Sequence, residues 1–140
     1  MRNEGTGVQA DVGSLRARIG LLLTRMGKQE PAALEFQRAV EIAEPITTAR
    51  PNILEAQYVL ADAHSGLGDV WQMRASNANS LPQRIHDCTE AQSSYRRSLE
   101  VWQRIHNPGA RTPTGFACGS RKMVAERIAK CDGVLARLPR

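Results

Sequence analysis

His86, Asp87 and Cys88 stand in a row, the one place in this chain where a thiol and an imidazole are neighbours. Those groups build two kinds of chemistry: a zinc site and an activated cysteine nucleophile. A zinc site needs ligands at short, regular spacings. His64, His106, Cys118 and Cys131 are scattered instead, and no pair has the CxxC or HxxxH spacing. Cys131 falls among apolar residues at helical spacing, where a cysteine reads as a small core residue. A nucleophile pair of Cys88 with a distant histidine is not visible in spacing and stays open. Phosphate chemistry is poorly served. The "GTG" of Gly5–Gly7 lacks a third glycine, "GLGDVW" follows a helical pattern rather than a strand, and neither an HRD-type catalytic loop nor DFG occurs. The expectation is a chain without metal or cofactor that is not an enzyme.

Charge is the next resource. Residues 1–94 hold 9 Lys/Arg against 11 Asp/Glu, and residues 95–140 hold 10 against 3, so the net charge of +5 belongs to the last third. Arg96, Arg97 and Arg104 share one helical stretch, and Arg121, Lys122, Arg127 and Lys130 another. Basic clusters meet nucleic acid when aromatic rings between them can stack on bases. Tyr95 and Trp102 sit at core spacing instead. A solvated basic face is the simpler reading, with a nucleic-acid-binding helical domain kept as an alternative.

Helices must position whatever does the work. Hydrophobic residues make up 41% and aromatics only 4%, and alternating runs of Val, Ile, Thr and Tyr are missing, so the fold class is all-α. Residues 1–13 are polar and glycine-rich, which predicts a flexible N-terminal segment. From Ser14, Leu15, Ile19, Leu22, Leu23 and Met26 recur at three- and four-residue steps, and Gly27 caps that helix. Pro31 opens the next helix, with Leu34, Phe36, Val40 and Ile42 as its apolar contacts, and Pro45 with Pro51 closes it. Asn52 with Glu55 reads as a capping box for a helix through Leu54, Tyr58, Leu60 and Ala61 that stops at Gly66 and Gly68. The stretch 70–88, rich in Asn and Ser, reads as an inserted surface loop. Thr89 with Gln92 reads as a second capping box, ahead of Tyr95, Leu99, Trp102 and Ile105. After a Pro/Gly loop, Ser120 caps a last helix over 120–138 whose Val124, Ile128, Cys131, Leu135 and Leu138 form a stripe.

Two of these helices share an arrangement: Ala32-x3-Phe36 with Ala39, and Ala91-x3-Tyr95 with Ser98. Upstream, Ile19-Gly20, Leu23 and Gly27 are matched by Leu60-Ala61, His64 and Gly68. Gly20 to Ala61 and Gly27 to Gly68 are both 41 residues. Ala61 to Ala91 is 30 residues where Gly20 to Ala32 is 12, which locates an insertion inside the second unit. This spacing resembles the tetratricopeptide (TPR) repeat, a helix pair of about 34 residues with Leu-Gly, an aromatic and Ala-x3-aromatic at set places. Two places depart from it: Arg16 stands where a large apolar residue opens the repeat, and Pro45 comes one residue late. "LADAHSGLGD", the insertion, "AQSSYRRSLEVWQRI" and "IAKCD" also resemble the tail of bacterial serine/threonine protein kinases that carry such repeats.

The resemblance implies antiparallel helix pairs stacked as a short solenoid over 14–140. Repeat 1 covers about 14–45 and repeat 2 about 53–105, with the insertion near 70–88 and a capping helix over 120–138. It implies a non-catalytic protein–protein interaction module. Its partner, a protein or peptide, would meet the concave face at Leu21, Thr24 and Arg25 in one pair and Tyr58, Asp62 and Ser65 in the other. The narrower likeness implies a regulatory C-terminal tail of a kinase. About three repeats are needed to cover each other's faces. The apolar helix of Leu15, Ile19, Leu22, Leu23 and Met26 is therefore expected to self-associate or to lean on further repeats. "IGLLL", behind Arg16 and Arg18, is too short for a signal peptide or a membrane span. Three cysteines cannot all pair, so free thiols and a cytoplasmic location are expected.

Overall fold

The computed structural model describes residues 4–105 and 121–138. They form five helices and no strand: α1 (Glu4–Arg25), α2 (Gln29–Ala49), α3 (Leu54–Ser76), α4 (Leu81–Arg104) and α5 (Arg121–Arg137). The all-α fold is as expected. Its helices pack in pairs, α1 with α2 and α3 with α4. α3 also packs on both helices of the first pair, and α5 packs on α4.

The turn between α1 and α2 is made by Gly27, whose φ of 77° lets the chain reverse. Gly27 N–H donates to Thr24 O at 3.0 Å and Lys28 N–H to Leu23 O at 2.9 Å, closing the helix end as the sequence predicts. The start of α1 departs from expectation. Of the segment 1–13, expected to be flexible, residues 4–13 are helical. Its small residues are the reason: Ala10, Gly13 and Ser14 are buried. A Cβ on Gly13 would lie 3.2 Å from Val59 and 3.3 Å from Ile42, so backbone packs directly on α3 and α2 there.

In α2, Ala32, Phe36, Ala39, Ala43 and Ile46 are buried at steps of three and four. Leu34, expected among the contacts, is exposed. Pro45 does not close the helix, which continues to Ala49. A proline in a helix interior removes one backbone bond and crowds the preceding turn. Here burial of Ile46 and Thr47 holds the last turn in place.

Four further boundaries shift, all around α3 and α4. Ile53, not Asn52, is the N-cap of α3, without a side-chain cap, so the Asn52–Glu55 box does not form. Gly66 and Gly68 do not end α3. Both are buried inside it, where Phe36 and Tyr95 press on their bare Cα atoms. The expected loop over 70–88 is instead the last turns of α3 and the first turns of α4, joined by a turn at Asn77–Ser80. Ser80 accepts from Gln83 N–H at 3.3 Å and Pro82 sits in the first turn, so the true cap lies well before Thr89. Thr89 is mid-helix and its hydroxyl donates to Ile85 O at 2.7 Å. In α5, Val124, Ile128 and Cys131 are buried while Lys122 and Lys130 face solvent. The expected cap at Ser120 and the loop before it lie outside the described residues.

The core runs down the middle of the stack. Every residue of α3 from Ala56 to Gly66 is buried, because α1, α2 and α4 all pack on that helix.

Candidate functional site

The second half of α5 stands across from the last turns of α3 and the first turns of α4. Between the three lies a cleft of about 640 Å³, within the range of about 300–1,000 Å³ typical of ligand sites. Asp69, Gln72 and Met73 line it from α3, Arg84 and Cys88 from α4, and Lys130, Cys131 and Val134 from α5.

A polar network braces one wall. The Tyr95 hydroxyl donates to Asp69 Oδ1 and stands 3.1 Å from Gln72 Oε1. Arg127 Nη1 lies 3.6 Å from Asp69 Oδ2 and donates to Ser65 Oγ at 3.1 Å, which ties α5 to α3. Gln72 Nε2 donates to Cys131 Sγ at 3.7 Å. Burial raises the Asp69 carboxyl above its usual range, and the Tyr95 and Arg127 donors oppose that rise without cancelling it. Burial also raises the Tyr95 phenol, and the Asp69 charge adds to it. This hydroxyl is therefore a fixed donor.

Neither thiol is activated. Burial pushes Cys131 up to about 11, with negative charge at Cys88 and Asp132 adding to it. Burial raises Cys88 as well, and Asp87 adds more than Arg84 removes. A cysteine nucleophile needs the opposite, a thiolate near neutral pH. Of the two described histidines, His86 is exposed and stands edge-on to Trp71 at 5.7 Å, and His64 is buried. Burial, then the charges of Arg97 and Arg104, lower His64 to about 4. Among the described residues, no group of three His, Cys, Asp or Glu could hold a metal ion.

The six residues expected on a concave face fall into two settings. Leu21 and Thr24 are half-buried and Arg25 is exposed, and the Thr24 hydroxyl turns back to Gly20 O at 2.8 Å. Tyr58, Asp62 and Ser65 are buried, Tyr58 against Trp102 at a ring distance of 5.6 Å. They lie on the stretch of α3 that is enclosed on every side, so spacing alone placed them one layer too far out. Tyr95 and Trp102, the rings next to Arg96, Arg97 and Arg104 on α4, are both buried. Arg96 lies 3.5 Å from Asp132.

Sequence reasoning missed the cleft because most of its α3 and α4 wall falls in 70–88. One signal was available: Trp71 and Met73, then Ile85 and Cys88, continue helical steps on either side of the Asn/Ser turn. No helix among the described residues is long and apolar enough to cross a membrane. The fold and cleft define an all-α protein of packed helix pairs. No protein-family model, curated protein or solved structure matches the chain.

Proposed function

We propose that this chain is a non-catalytic interaction module of tetratricopeptide type, which holds a short segment of another protein in the cleft between α3, α4 and α5. The observation that carries the reading is the composition of that cleft. Met73 and Val134 offer apolar surface, the Cys88 and Cys131 thiols are neutral, and Arg84 and Lys130 bring positive charge from opposite walls. Such a site suits an aliphatic side chain followed by a carboxylate. The apolar part leaves water, and the carboxylate meets two cations from different helices. The meeting of Phe36 with Gly20 and Gly66 supports the family reading, because in such repeats small residues sit where helices cross.

Burial of Tyr95 and Trp102 speaks against the nucleic-acid alternative, which needs exposed rings among its arginines. We also place the protein in the cytoplasm, on the free thiols of Cys88 and Cys131.

Selection of displayed random peptides against the full chain tests this. Binders should be enriched in an aliphatic residue beside Asp, Glu or a free C-terminus. Val134→Glu and Lys130→Glu should each weaken a synthetic binder at least about tenfold. Binders without acidic groups, or affinities untouched by both changes, would overturn the assignment.

A further inference from the structure

α1 is built inside out. The face it presents to α2 and α3 is made of Ala10, Gly13, Ser14, Ala17 and Gly20, all buried. Leu21 and Leu23 pack partly against the core, but Val8, Val12, Leu15 and Leu22 of α1, with Met26 just past its end, are exposed, from 41% at Val12 to 64% at Met26. Ile19, in the same row, is half-buried. A surface stripe of this length is rare on a chain that works alone, and it marks an interface.

The spacing says what kind. Val8, Val12, Leu15, Ile19, Leu22 and Met26 follow one another at steps of four, three, four, three and four, a heptad seam in which core positions recur every ~3.5 residues. β-Branched Val12 and Ile19 take one of the two core positions, and Leu15 and Leu22 take the other. That choice favours two parallel strands. The flanking charges agree. In a parallel pair, Asp11 of one helix faces Arg16 of the other, an attractive contact. In an antiparallel pair, Arg16 meets Arg16 and Arg18 meets Arg18 across the two-fold axis. Asp11 also shares a hydrogen bond with Glu55, whose carboxyl is raised by burial and by that neighbour. A cation arriving there relieves the crowding of two carboxylates. Arg16 donates to both oxygens of Glu35, at 3.1 and 3.2 Å, and its side chain is still 37% exposed.

We propose that this chain forms a parallel homodimer in which α1 of one copy packs along α1 of a second through Val8, Val12, Leu15, Ile19, Leu22 and Met26. The partner of that stripe is thus the stripe itself, an isologous interface. α2 and α3 pack on the opposite face of α1, which leaves the stripe open to a second copy. The cleft between α3, α4 and α5 takes no part, so this pairing stands independently of the peptide-binding reading.

Sedimentation of the full chain at micromolar concentrations should give twice the 15.4 kDa of one chain. Leu22→Glu should weaken dimerisation by about 100-fold or more. Its circular dichroism should stay unchanged, since Leu22 contributes little to the monomer core. Leu15→Ser serves as a milder second variant with the same readout. Val8→Cys should form an intermolecular disulfide under mild oxidation, because parallel pairing sets position 8 against its own copy. A stable monomer would overturn the proposal and assign the stripe to a different chain. A dimer indifferent to both leucine changes, or one in which Val8→Cys does not cross-link, would overturn it as well.

Discussion

The ring of Phe36 lies so close to Gly66 that a Cβ at that position would overlap it. Phe36 is fully buried and has nowhere to retreat. Gly66→Ala should therefore destabilise the fold by about 1–3 kcal/mol, an overpacking cost. Gly133→Ala is the internal control. Its Cβ would find nothing nearer than the Arg137 guanidinium at 4.0 Å, and the helix gains about 0.5–1 kcal/mol from the loss of a glycine. Thermal unfolding of the two variants should move in opposite directions. Adding Phe36→Leu to Gly66→Ala should cost less than the two changes summed.

Pro45 sits inside α2 with helix on either side. Restoring its missing N–H should let the ladder close at that point. Pro45→Ala is expected to raise stability by about 1–3 kcal/mol, the interior-proline penalty less the stiffness lost from the unfolded chain. A lower melting temperature in Pro45→Ala would show that the proline sets a bend on which packing of Ile46 and Thr47 depends.

Tyr95→Phe removes the hydroxyl that donates to Asp69. A hydrogen bond to a charged group contributes about 1.5–3 kcal/mol. The carboxyl should titrate still higher in the variant, because the phenol is one of the two groups holding it down. The loss should be larger on the alkaline side of the Asp69 titration, where the carboxylate accepts strongly, than on its acid side, where the neutral group accepts only weakly. Urea unfolding at two pH values, with an NMR titration of Asp69, reads both effects.

His64 gives the fold a pH dependence with a defined sign. Its folded pKa is lowered from 6.5 to about 4, so the unfolded chain binds the extra proton. Stability from this group is complete above 6.5 and is lost as pH falls towards about 4, by up to about 3 kcal/mol. His64→Gln cannot take up that proton. Its stability should vary less than the parent's across that window, measured as the difference between the two denaturation curves. Equal slopes would mean that His64 is solvated in the folded chain.

Helix identity was legible from local steps of apolar residues. Gly27 was legible because a left-handed turn has few other occupants. What misled was punctuation. Gly66, Gly68, Pro45 and the Asn/Ser run at 76–80 all read as stops. Two of the glycines are contact points for Phe36 and Tyr95, the proline is carried through by packing, and only Asn77–Ser80 is a turn. Local propensities of about 1–3 kcal/mol are readily outweighed by burial of several side chains. Phe36 closes on Gly20 and Gly66, and its counterpart Tyr95 closes on Gly68. The Ser98 hydroxyl donates to the Ala61 carbonyl at 2.7 Å.

The apolar period of 3.6 and the left-handed glycine are properties of short stretches, and such stretches carry their own signal. Which face of a helix turns inward is a different kind of property. α1 has small residues on one side and large apolar ones on the other, and hydrophobicity alone would bury the large ones. The structure buries the small ones, since backbones can approach closely only there, and leaves Val8, Leu15, Leu22 and Met26 outside. The cleft is likewise a product of helices meeting: Asp69, Arg84 and Lys130 lie far apart along the chain and become neighbours only when α3, α4 and α5 pack.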